Sequence, residues 1–276
     1  MTEKLKEDLN YANSILDGEC RDNFRKIYTS TNESLLALFK KIDLSNKNVL
    51  TVLSSSDYLY MSYFFGAKNV DTFDINPLTY RFYHLRKWLI KNQVLDIGLS
   101  SYAETLKIIE NTTSCSSLDE KESLLFWREI IEKIGEYEFF TNQLFTTVFN
   151  PFCYYYEDKT DALSLILDST NPSFYKFDIS ESININIKDK YDVIFLSNIL
   201  DYVRSSKKLP VVMENLSSLM NDNGSVICSH IPRYENEDIV RELKPEIECF
   251  NELFDYSHVA ETSFGFINFY QYTRKK

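Results

Sequence analysis

The residues best suited to chemistry in this sequence are polar groups that follow two apolar runs. Ser54, Ser55 and Asp57 come directly after the run Val49–Leu53, and Asp74 ends the next β-type run, after a helical stretch. In a strand–helix–strand unit, an acid ending the second strand can accept hydrogen bonds from both hydroxyls of a ribose. The loop after the first strand presents backbone N–H groups to the polar end of a nucleoside. The spacing therefore predicts a nucleoside-binding site.

The distribution of glycine narrows the choice of nucleoside. The chain has six glycines, and none lies in the Ser54–Asp57 loop. A P-loop requires Gly-x-x-x-x-Gly-Lys, and a dinucleotide fingerprint requires glycines that let the backbone approach a pyrophosphate. A serine-rich loop instead suits a ligand without a pyrophosphate, such as S-adenosylmethionine. In this interpretation Ser54 and Ser55 hold the ligand carboxylate and Asp57 holds its ammonium, although the same residues could form only a turn and a helix cap.

Four segments resemble the class I S-adenosylmethionine-dependent transferases. They are NVLTVLSSSDY at the first strand and loop, VDTFDINP at the second strand, FDI around Asp178, and YDVIFLSNILDYV at the fourth strand. Within that superfamily, LTVLSSSDYL and FDINP look most like the aminocarboxypropyl transferases of betaine-lipid synthesis, with Ser56 where those enzymes tend to have glycine. The resemblance implies an α/β fold: a Rossmann-like, doubly wound seven-stranded sheet with a C-terminal antiparallel hairpin.

The same resemblance assigns further cofactor contacts. Ile75 and Asn76 would border the adenine and ribose beside Asp74, and Asp178 would reach the adenine amino group. Each polar residue has a structural alternative. Asn76 could cap the helix that begins near Pro77, and Asp178 could be an ordinary loop acid.

Polar residues also follow the fourth strand, and the carboxyl ends of strands are where open α/β sheets bind ligands. Ser197 and Asn198 are expected to face cofactor or substrate. Asp201 and Tyr202 are the candidate catalytic residues, since either could orient a nucleophile or act as a general base. Capping and packing are the alternative roles of this group. A single strand-end histidine is more often structural, so His230, after the fifth strand, is left out of the catalytic set.

The elements that would position these residues fall into three regions. The pattern of residues 1–45 predicts helices that form an N-terminal cap. A polar stretch within this region, Tyr28–Glu33, could contact the ligand or only cap a helix. Residues 46–94 and 173–276 alternate β and α patterns and form the cofactor-binding domain. Residues 95–172 read mainly as helices and form an inserted lid. The helices predicted in this insertion are Ala103–Glu110, Asp119–Ile134 and Asp161–Leu167.

Composition limits the partners. The net charge is −11 and the basic residues are scattered, whereas proteins that bind nucleic acid or anionic membranes usually present a basic face. We therefore expect no nucleic acid partner and, because no apolar stretch reaches a spanning length, no integral membrane segment. The five cysteines lack C-x-x-C spacing and the three histidines lack ligand spacing, which predicts a reduced, cytoplasmic chain without a metal site. The oligomeric state is left open.

Three functions remain open at this point. The first is a transferase that uses S-adenosylmethionine to move a methyl or a 3-amino-3-carboxypropyl group to a small-molecule or lipid-like acceptor, which the aromatic content of 15% favours. The second is a domain of the same fold that binds the cofactor without chemistry, as a sensor or partner subunit. The third is a nicotinamide-dependent oxidoreductase, which Asp74 would permit but the glycine-free loop disfavours.

Overall fold

The structure is a computed structural model of the 276-residue chain. It divides into two compact units. The helical unit comprises Met1–Asn32, Leu53–Asp57 and Ile75–Asn171, and the sheet unit comprises Glu33–Val52, Tyr58–Asp74 and Pro172–Lys276. The residues that the structure describes are 2–20, 25–31, 33, 35–91, 115, 117–135, 143–146, 160–183, 187, 190–203, 207–230, 248–261 and 267–275.

Helices and strands alternate along most of the described chain. The helices are α1 (Glu3–Leu16), α2 (Leu35–Phe39), α3 (Asp57–Phe64), α4 (Leu78–Lys91), α5 (Leu118–Ile134), α6 (Thr160–Ser169), α7 (Ile199–Val203) and α8 (Leu209–Leu219). The strands are β1 (Ile27–Tyr28), β2 (Asn48–Val52), β3 (Asn69–Asp74), β4 (Phe145–Thr146), β5 (Phe174–Lys176), β6 (Tyr191–Ser197), β7 (Met220–His230), β8 (Phe254–Glu261) and β9 (Asn268–Arg274).

The sheet unit contains one sheet of seven described strands in the order β5-β3-β2-β6-β7-β9-β8. The first five strands are parallel, and β9 runs antiparallel to both β7 and β8. This is the doubly wound order 3-2-1-4-5-6 with the last strand inserted, antiparallel, between the fifth and the sixth. The strand order reverses between β2 and β6. The predicted fold class, a Rossmann-like seven-stranded sheet with a C-terminal hairpin, is confirmed.

The central strands of this sheet are buried because their sequences are almost continuously apolar. β2 and β6 carry the fully buried Leu50 and Ile194, as expected of parallel strands covered on both faces. Val52 of β2 lies opposite Phe73 of β3. The two strands therefore end at the same level, at the same edge of the sheet.

The helical unit is organised around a buried arginine on α4. Arg81 is fully buried, and its Nε donates to Asp8 Oδ2 on α1 over 2.8 Å. One guanidinium nitrogen lies 3.9 Å from Glu122 Oε2 on α5, and Trp127 Nε1 of the same helix donates to the Arg81 carbonyl over 2.8 Å. A buried charge needs such partners, since its desolvation is otherwise unfavourable by several kcal/mol. Arg81 thus connects three helices.

Most predicted elements of the helical unit are present. α5 and α6 confirm the helices predicted at Asp119–Ile134 and Asp161–Leu167, whereas the predicted helix Ala103–Glu110 lies outside the described residues. The predicted helical region 1–45 also contains a strand, β1, which pairs in parallel with β4 over only two residues. A strand this short has no alternating pattern that a sequence could reveal. The three-region division stays a prediction, while the unit boundary near the N-terminus falls between Asn32 and Glu33.

Among the helices in the described part of the chain, none has the length and apolar character that a bilayer crossing requires.

Candidate functional site

The carboxyl ends of the parallel strands carry the first group of candidate residues. Asp74 ends β3 and is only 8% exposed. It lies opposite Lys176 of β5, and the Phe73 ring beside it stacks on Phe177 with ring centroids 4.7 Å apart. In open α/β sheets this edge, next to the reversal of strand order, is where ligands bind. The structure therefore has a buried carboxylate at the predicted position.

Asp178 follows β5 and has protein partners of its own. Its Oδ1 accepts hydrogen bonds from the backbone N of Ser180 over 2.8 Å and from the Ser180 hydroxyl over 2.7 Å. Lys208 Nζ lies 3.9 Å from Oδ2. These contacts form a local Asx turn, as the structural alternative predicts. The contact with adenine stays a prediction.

A buried glutamate connects the ends of β6 and β7. Glu33 is fully buried, and its Oε1 accepts hydrogen bonds from Ser197 Oγ over 3.0 Å and from Ser229 Oγ. Tyr58 also hydrogen-bonds to Glu33, and burial together with the nearby carboxylate raises the pKa of the Tyr58 hydroxyl well above its ordinary value. Tyr58 therefore remains a neutral donor at physiological pH. The hydroxyl of Ser197, a predicted ligand contact, therefore already donates to a protein acceptor, Glu33.

Ser197 has a strained backbone. Its φ of 51° lies in the left-handed region, which non-glycine residues rarely adopt. Such conformations persist only where the surroundings impose them, and they are frequent at functional sites. The chain turns here from β6 into α7, where the Asn198 carbonyl accepts from the Asp201 backbone N over 3.1 Å. Asn198 thus begins the turn, as its structural alternative predicts.

Asp201 of α7 pairs with a histidine at the end of the neighbouring strand. Its Oδ1 lies 2.7 Å from His230 Nδ1, and the side chains of the aspartate and the histidine are 15% and 2% exposed. Because this carboxylate orients the imidazole, or is oriented by it, the two residues act as one group. Tyr202, the other candidate catalytic residue, is 55% exposed. The structure therefore joins Asp201 to His230, which the sequence interpretation had set aside.

The serine-rich loop after β2 belongs to the helical unit. Asp57 Oδ2 accepts hydrogen bonds from Ser55 Oγ over 2.8 Å and from the backbone N of Thr31 over 2.7 Å. Arg86 lies 3.0 Å from Asp57 Oδ1 and also donates to the Ser55 carbonyl. Both carboxylate oxygens of Asp57 thus have protein partners, which favours a structural role over the predicted contact with a ligand ammonium.

The backbone of this loop follows a path typical of glycine. Ser54 and Ser56 have φ values of 43° and 72°, in the left-handed region. Ser56 is fully buried, and its hydroxyl has no hydrogen-bond partner among the described residues. Serine therefore occupies positions whose conformation glycine would adopt more easily.

Asn76 caps α4. Its Oδ1 accepts from the Leu78 backbone N over 3.0 Å, and its Nδ2 donates to the Arg25 carbonyl over 3.0 Å. Both ends of the amide are therefore used within the protein, as the capping alternative predicts. Ile75, beside it, is half-buried, and its contact with a ligand stays a prediction.

Sequence reasoning missed the roles of two residues, Arg86 beside the serine-rich loop and Glu33 at the ends of β6 and β7. Arg86 lies on α4, where almost every residue is buried, and its helical spacing gave no hint of a partner. Glu33 lies in the polar stretch that the sequence identified as a ligand contact or a cap. Its buried position depends on Ser197 and Ser229, which are more than 160 residues away. Among the described residues, no group of three or more histidine, cysteine or acidic side chains could hold a metal ion.

Comparisons with known proteins add only a distant likeness. No protein-family profile and no curated protein matches the sequence. The chain resembles the N-methyltransferase NodS from Bradyrhizobium japonicum WM9, solved with S-adenosyl-L-homocysteine, at 8% identity and a TM-score of 0.43 over 99% of this chain and 98% of that one. The magnesium protoporphyrin IX methyltransferase from Synechocystis PCC 6803, solved with S-adenosylmethionine, is 12% identical. Its TM-score is 0.39 over 100% of this chain and 86% of that one. The chain also resembles the rRNA methyltransferase aviRa from Streptomyces viridochromogenes, at 10% identity and a TM-score of 0.43 over 87% of this chain and 81% of that one. A likeness this distant assigns neither activity nor acceptor to this chain.

Proposed function

We propose that this chain is an S-adenosylmethionine-dependent transferase that acts on a small-molecule or lipid-like acceptor. The observation that carries the proposal is the Asp74 carboxylate, 8% exposed at the end of β3, one strand from the reversal of strand order. In an open α/β sheet the crevice at such a reversal binds ligands, and an acid in this position accepts hydrogen bonds from the two ribose hydroxyls. In the proposal this ribose belongs to the adenosine half of the cofactor.

The loop after β2 favours this cofactor over a dinucleotide. Ser54 and Ser56 adopt the left-handed backbone that a glycine-rich loop would have, so the path of the chain fits the family that the sequence resembles despite the serine at position 56. The serine Cβ atoms disfavour the close approach that a pyrophosphate needs. In the proposal Ser54 and Ser55 contact the methionine carboxylate, while Asp57, fixed by Arg86, holds the loop in shape.

Two of the remaining proposed contacts follow Asp74 directly in the sequence, and the others follow further strands of the same sheet. Asp178 and Ile75 would border the adenine, and Asn76 would position this segment as the cap of α4. Ser197 and Asn198, at the end of β6, would border the cofactor on the side of the acceptor. Because β5, β3, β2 and β6 are neighbours in that order, Asp178, Asp74 and Ser197 follow one another along the edge of the sheet.

The chain's task in such a reaction is mostly geometric. When bound, S-adenosylmethionine supplies a carbon made electrophilic by the adjacent sulfonium. The protein must align a nucleophile with that carbon and exclude water, which requires no strong acid or base. Asp201 and Tyr202, one turn of helix beyond the end of β6, are the proposed acceptor-side residues. The net charge of −11 supports a small acceptor, since an RNA acceptor of the kind that aviRa's name states would need a basic face.

Calorimetry and product analysis together test the proposal. S-adenosylmethionine and S-adenosylhomocysteine are expected to bind, and NAD is not; the reverse preference would favour an oxidoreductase. Mass spectrometry of the by-product then separates the two transfers, because methyl transfer releases S-adenosylhomocysteine and aminocarboxypropyl transfer releases methylthioadenosine. Cofactor binding without a by-product from any acceptor would favour the alternative, a non-catalytic binding module or partner subunit.

A further inference from the structure

The Asp201–His230 pair consists of a buried imidazole and a carboxylate that is partly accessible. The imidazole of His230 is 2% exposed, and its Nδ1 lies 2.7 Å from Asp201 Oδ1. The carboxylate side chain is 15% exposed, so a ligand can reach it more easily than it can reach the imidazole. A hydrogen bond from a buried, rotationally restricted ring fixes the direction of the carboxylate.

The position of this pair along the sheet edge suits the acceptor rather than the cofactor. His230 ends β7 and Asp201 lies in α7, which follows β6 directly. From β3, which ends in Asp74, to β7 there are three strand spacings, or about 14 Å at the usual separation of about 4.8 Å. Asp178 lies on the opposite side of Asp74, after β5. A nucleoside whose ribose is held at Asp74 and whose adenine extends toward Asp178 thus has its reactive end on the β6–β7 side.

We propose that Asp201 contacts the nucleophilic group of the acceptor and that His230 is a positioning residue that holds this carboxylate in place. The acceptor is then an amine or a hydroxyl compound, because a carboxylate aims a nucleophile through an N–H or O–H that it accepts, whereas the S–H of a thiol is only a weak donor. Thioethers and tertiary amines do not meet this condition. The inference rests on the proposed transferase function and adds to it the class of the acceptor.

The chemistry follows from the hydrogen bond. Asp201 accepts from the N–H or O–H of the acceptor and so directs the lone pair of the heteroatom at the carbon to be transferred. As the heteroatom–carbon bond forms, the carbon–sulfur bond breaks and its electron pair stays on sulfur, which becomes a neutral thioether. The proton that the heteroatom then carries in excess passes to the Asp201 carboxylate and from there to water. Electrostatic stabilisation grows as positive charge develops on the acceptor, so Asp201 acts mainly in the transition state.

Three variants separate this role from a merely structural one. Asp201→Asn keeps the shape of the side chain and removes its charge. His230→Leu removes the donor, whereas His230→Asn keeps an N–H close to the place of Nδ1. Each variant is titrated with S-adenosylhomocysteine and assayed with S-adenosylmethionine on a panel of primary amines, phenols and alcohols, with matched tertiary amines as controls. Thermal unfolding identifies any variant that has lost its fold.

The expected result is a loss in kcat with cofactor binding intact. S-adenosylhomocysteine should bind all four proteins within about twofold of the same affinity, because neither residue is assigned to the cofactor. Asp201→Asn should lower kcat by about 100-fold, in the range of lost acid–base and alignment contributions. His230→Leu should lower kcat by about tenfold with KM for S-adenosylmethionine unchanged, and His230→Asn should restore most of that loss.

A readout independent of turnover is the nitrogen NMR spectrum of the imidazoles, since the chain has only three histidines. Asp201→Asn should shift the His230 Nδ1 resonance, and an amine acceptor added with S-adenosylhomocysteine should shift it in the wild type but not in Asp201→Asn.

Several outcomes would overturn the inference while leaving the cofactor assignment intact. These are wild-type kcat in Asp201→Asn, equal losses of kcat in His230→Asn and folded His230→Leu, or turnover of tertiary amines but of no compound that carries an N–H or O–H. Bound S-adenosylhomocysteine with no turnover on any protic acceptor also counts against it. Failure of the wild type to bind S-adenosylhomocysteine would instead contradict the proposed function itself.

Discussion

Two buried carboxylates of this protein are satisfied in different ways. In the helical unit, Asp57 forms an ion pair with Arg86, with 3.0 Å between Oδ1 and the guanidinium nitrogen. In the sheet unit, Glu33 receives hydrogen bonds from the hydroxyls of Ser197 and Ser229. An ion pair neutralises the charge of a loop, whereas hydroxyl donors stabilise a carboxylate without adding a positive charge. The charge of Asp57 in the serine loop is therefore neutralised by its ion pair. The charge of Glu33, at the ends of β6 and β7, is stabilised by hydrogen bonds, close to the proposed acceptor residues.

The largest effect should come from breaking the ion pair. Arg86→Met leaves Asp57 buried without its cation, and removing one partner of a buried pair costs about 3–5 kcal/mol in the free energy of unfolding. Urea denaturation measures the loss. Asp57→Asn in the same chain should recover part of it, because the uncompensated charge is then gone.

The matched control is Arg128→Met on α5. This arginine is 43% exposed and lies 3.9 Å from Glu132, so its loss should change the free energy of unfolding by at most about 1 kcal/mol. Equal losses in Arg86→Met and Arg128→Met would mean that the buried pair contributes no more than a surface pair.

A second test uses pH and the same helix. His84 lies two residues before Arg86, is 6% exposed, and has no hydrogen-bond partner for either ring nitrogen among the described residues. Burial lowers the pKa of His84 from 6.5 to about 3. Between these two pH values the unfolded chain binds more protons than the folded chain. The free energy of unfolding should therefore fall as the pH falls through this window, by up to about 1.4 kcal/mol per pH unit, and level off below it.

Urea denaturation between pH 7 and pH 4 measures this dependence, and His84→Phe is the control. The phenylalanine variant should lose most of the histidine-dependent slope, since it has no group to protonate. A slope identical in both proteins would show that other groups cause the acid sensitivity.

A smaller effect is expected at the hydrogen-bonded carboxylate. Glu33→Ala leaves the buried hydroxyl of Ser229 and the half-buried hydroxyl of Ser197 without their acceptor, which costs about 1–3 kcal/mol. Glu33→Gln retains an acceptor oxygen and should cost less than Glu33→Ala. If Glu33→Gln were as destabilising as Arg86→Met, the contrast between the two carboxylates would be wrong.

The smallest effect is a gain. Ser56→Gly relieves a left-handed φ of 72° and removes a buried hydroxyl that has no partner in the described part of the chain, so it should raise the free energy of unfolding by about 1 kcal/mol. Ser197→Gly relieves a similar φ but removes the hydrogen bond to Glu33, so the two effects should nearly cancel. Thermal denaturation compares them. A loss of stability in Ser56→Gly would indicate that its hydroxyl has a role that the described contacts do not include.

The sequence predicted the elements whose patterns are local. The apolar run Tyr191–Ser197 coincides with β6 and the helical pattern of Leu78–Lys91 with α4, since each pattern determines its own element. The resemblance of the loop and of Asp74 to a known family supplied the fold class, a seven-stranded sheet with a C-terminal antiparallel hairpin. The contacts that fix the loop and the strand ends were not predictable, because they join residues distant in sequence. Arg86 meets Asp57 across 29 positions and His230 meets Asp201 across 29, and no local pattern connects them.

The central claim is that Asp74 holds the ribose of S-adenosylmethionine, and titration calorimetry of wild type and Asp74→Asn tests it most directly. The control is Asp222→Asn, which removes an equal charge from a side chain that is 96% exposed. Hydrogen bonds to a charged group contribute about 1.5–3 kcal/mol, so Asp74→Asn should weaken S-adenosylmethionine binding at least about tenfold, and Asp222→Asn should leave it unchanged. Unaltered affinity in a folded Asp74→Asn protein, or no binding by the wild type, would contradict the account.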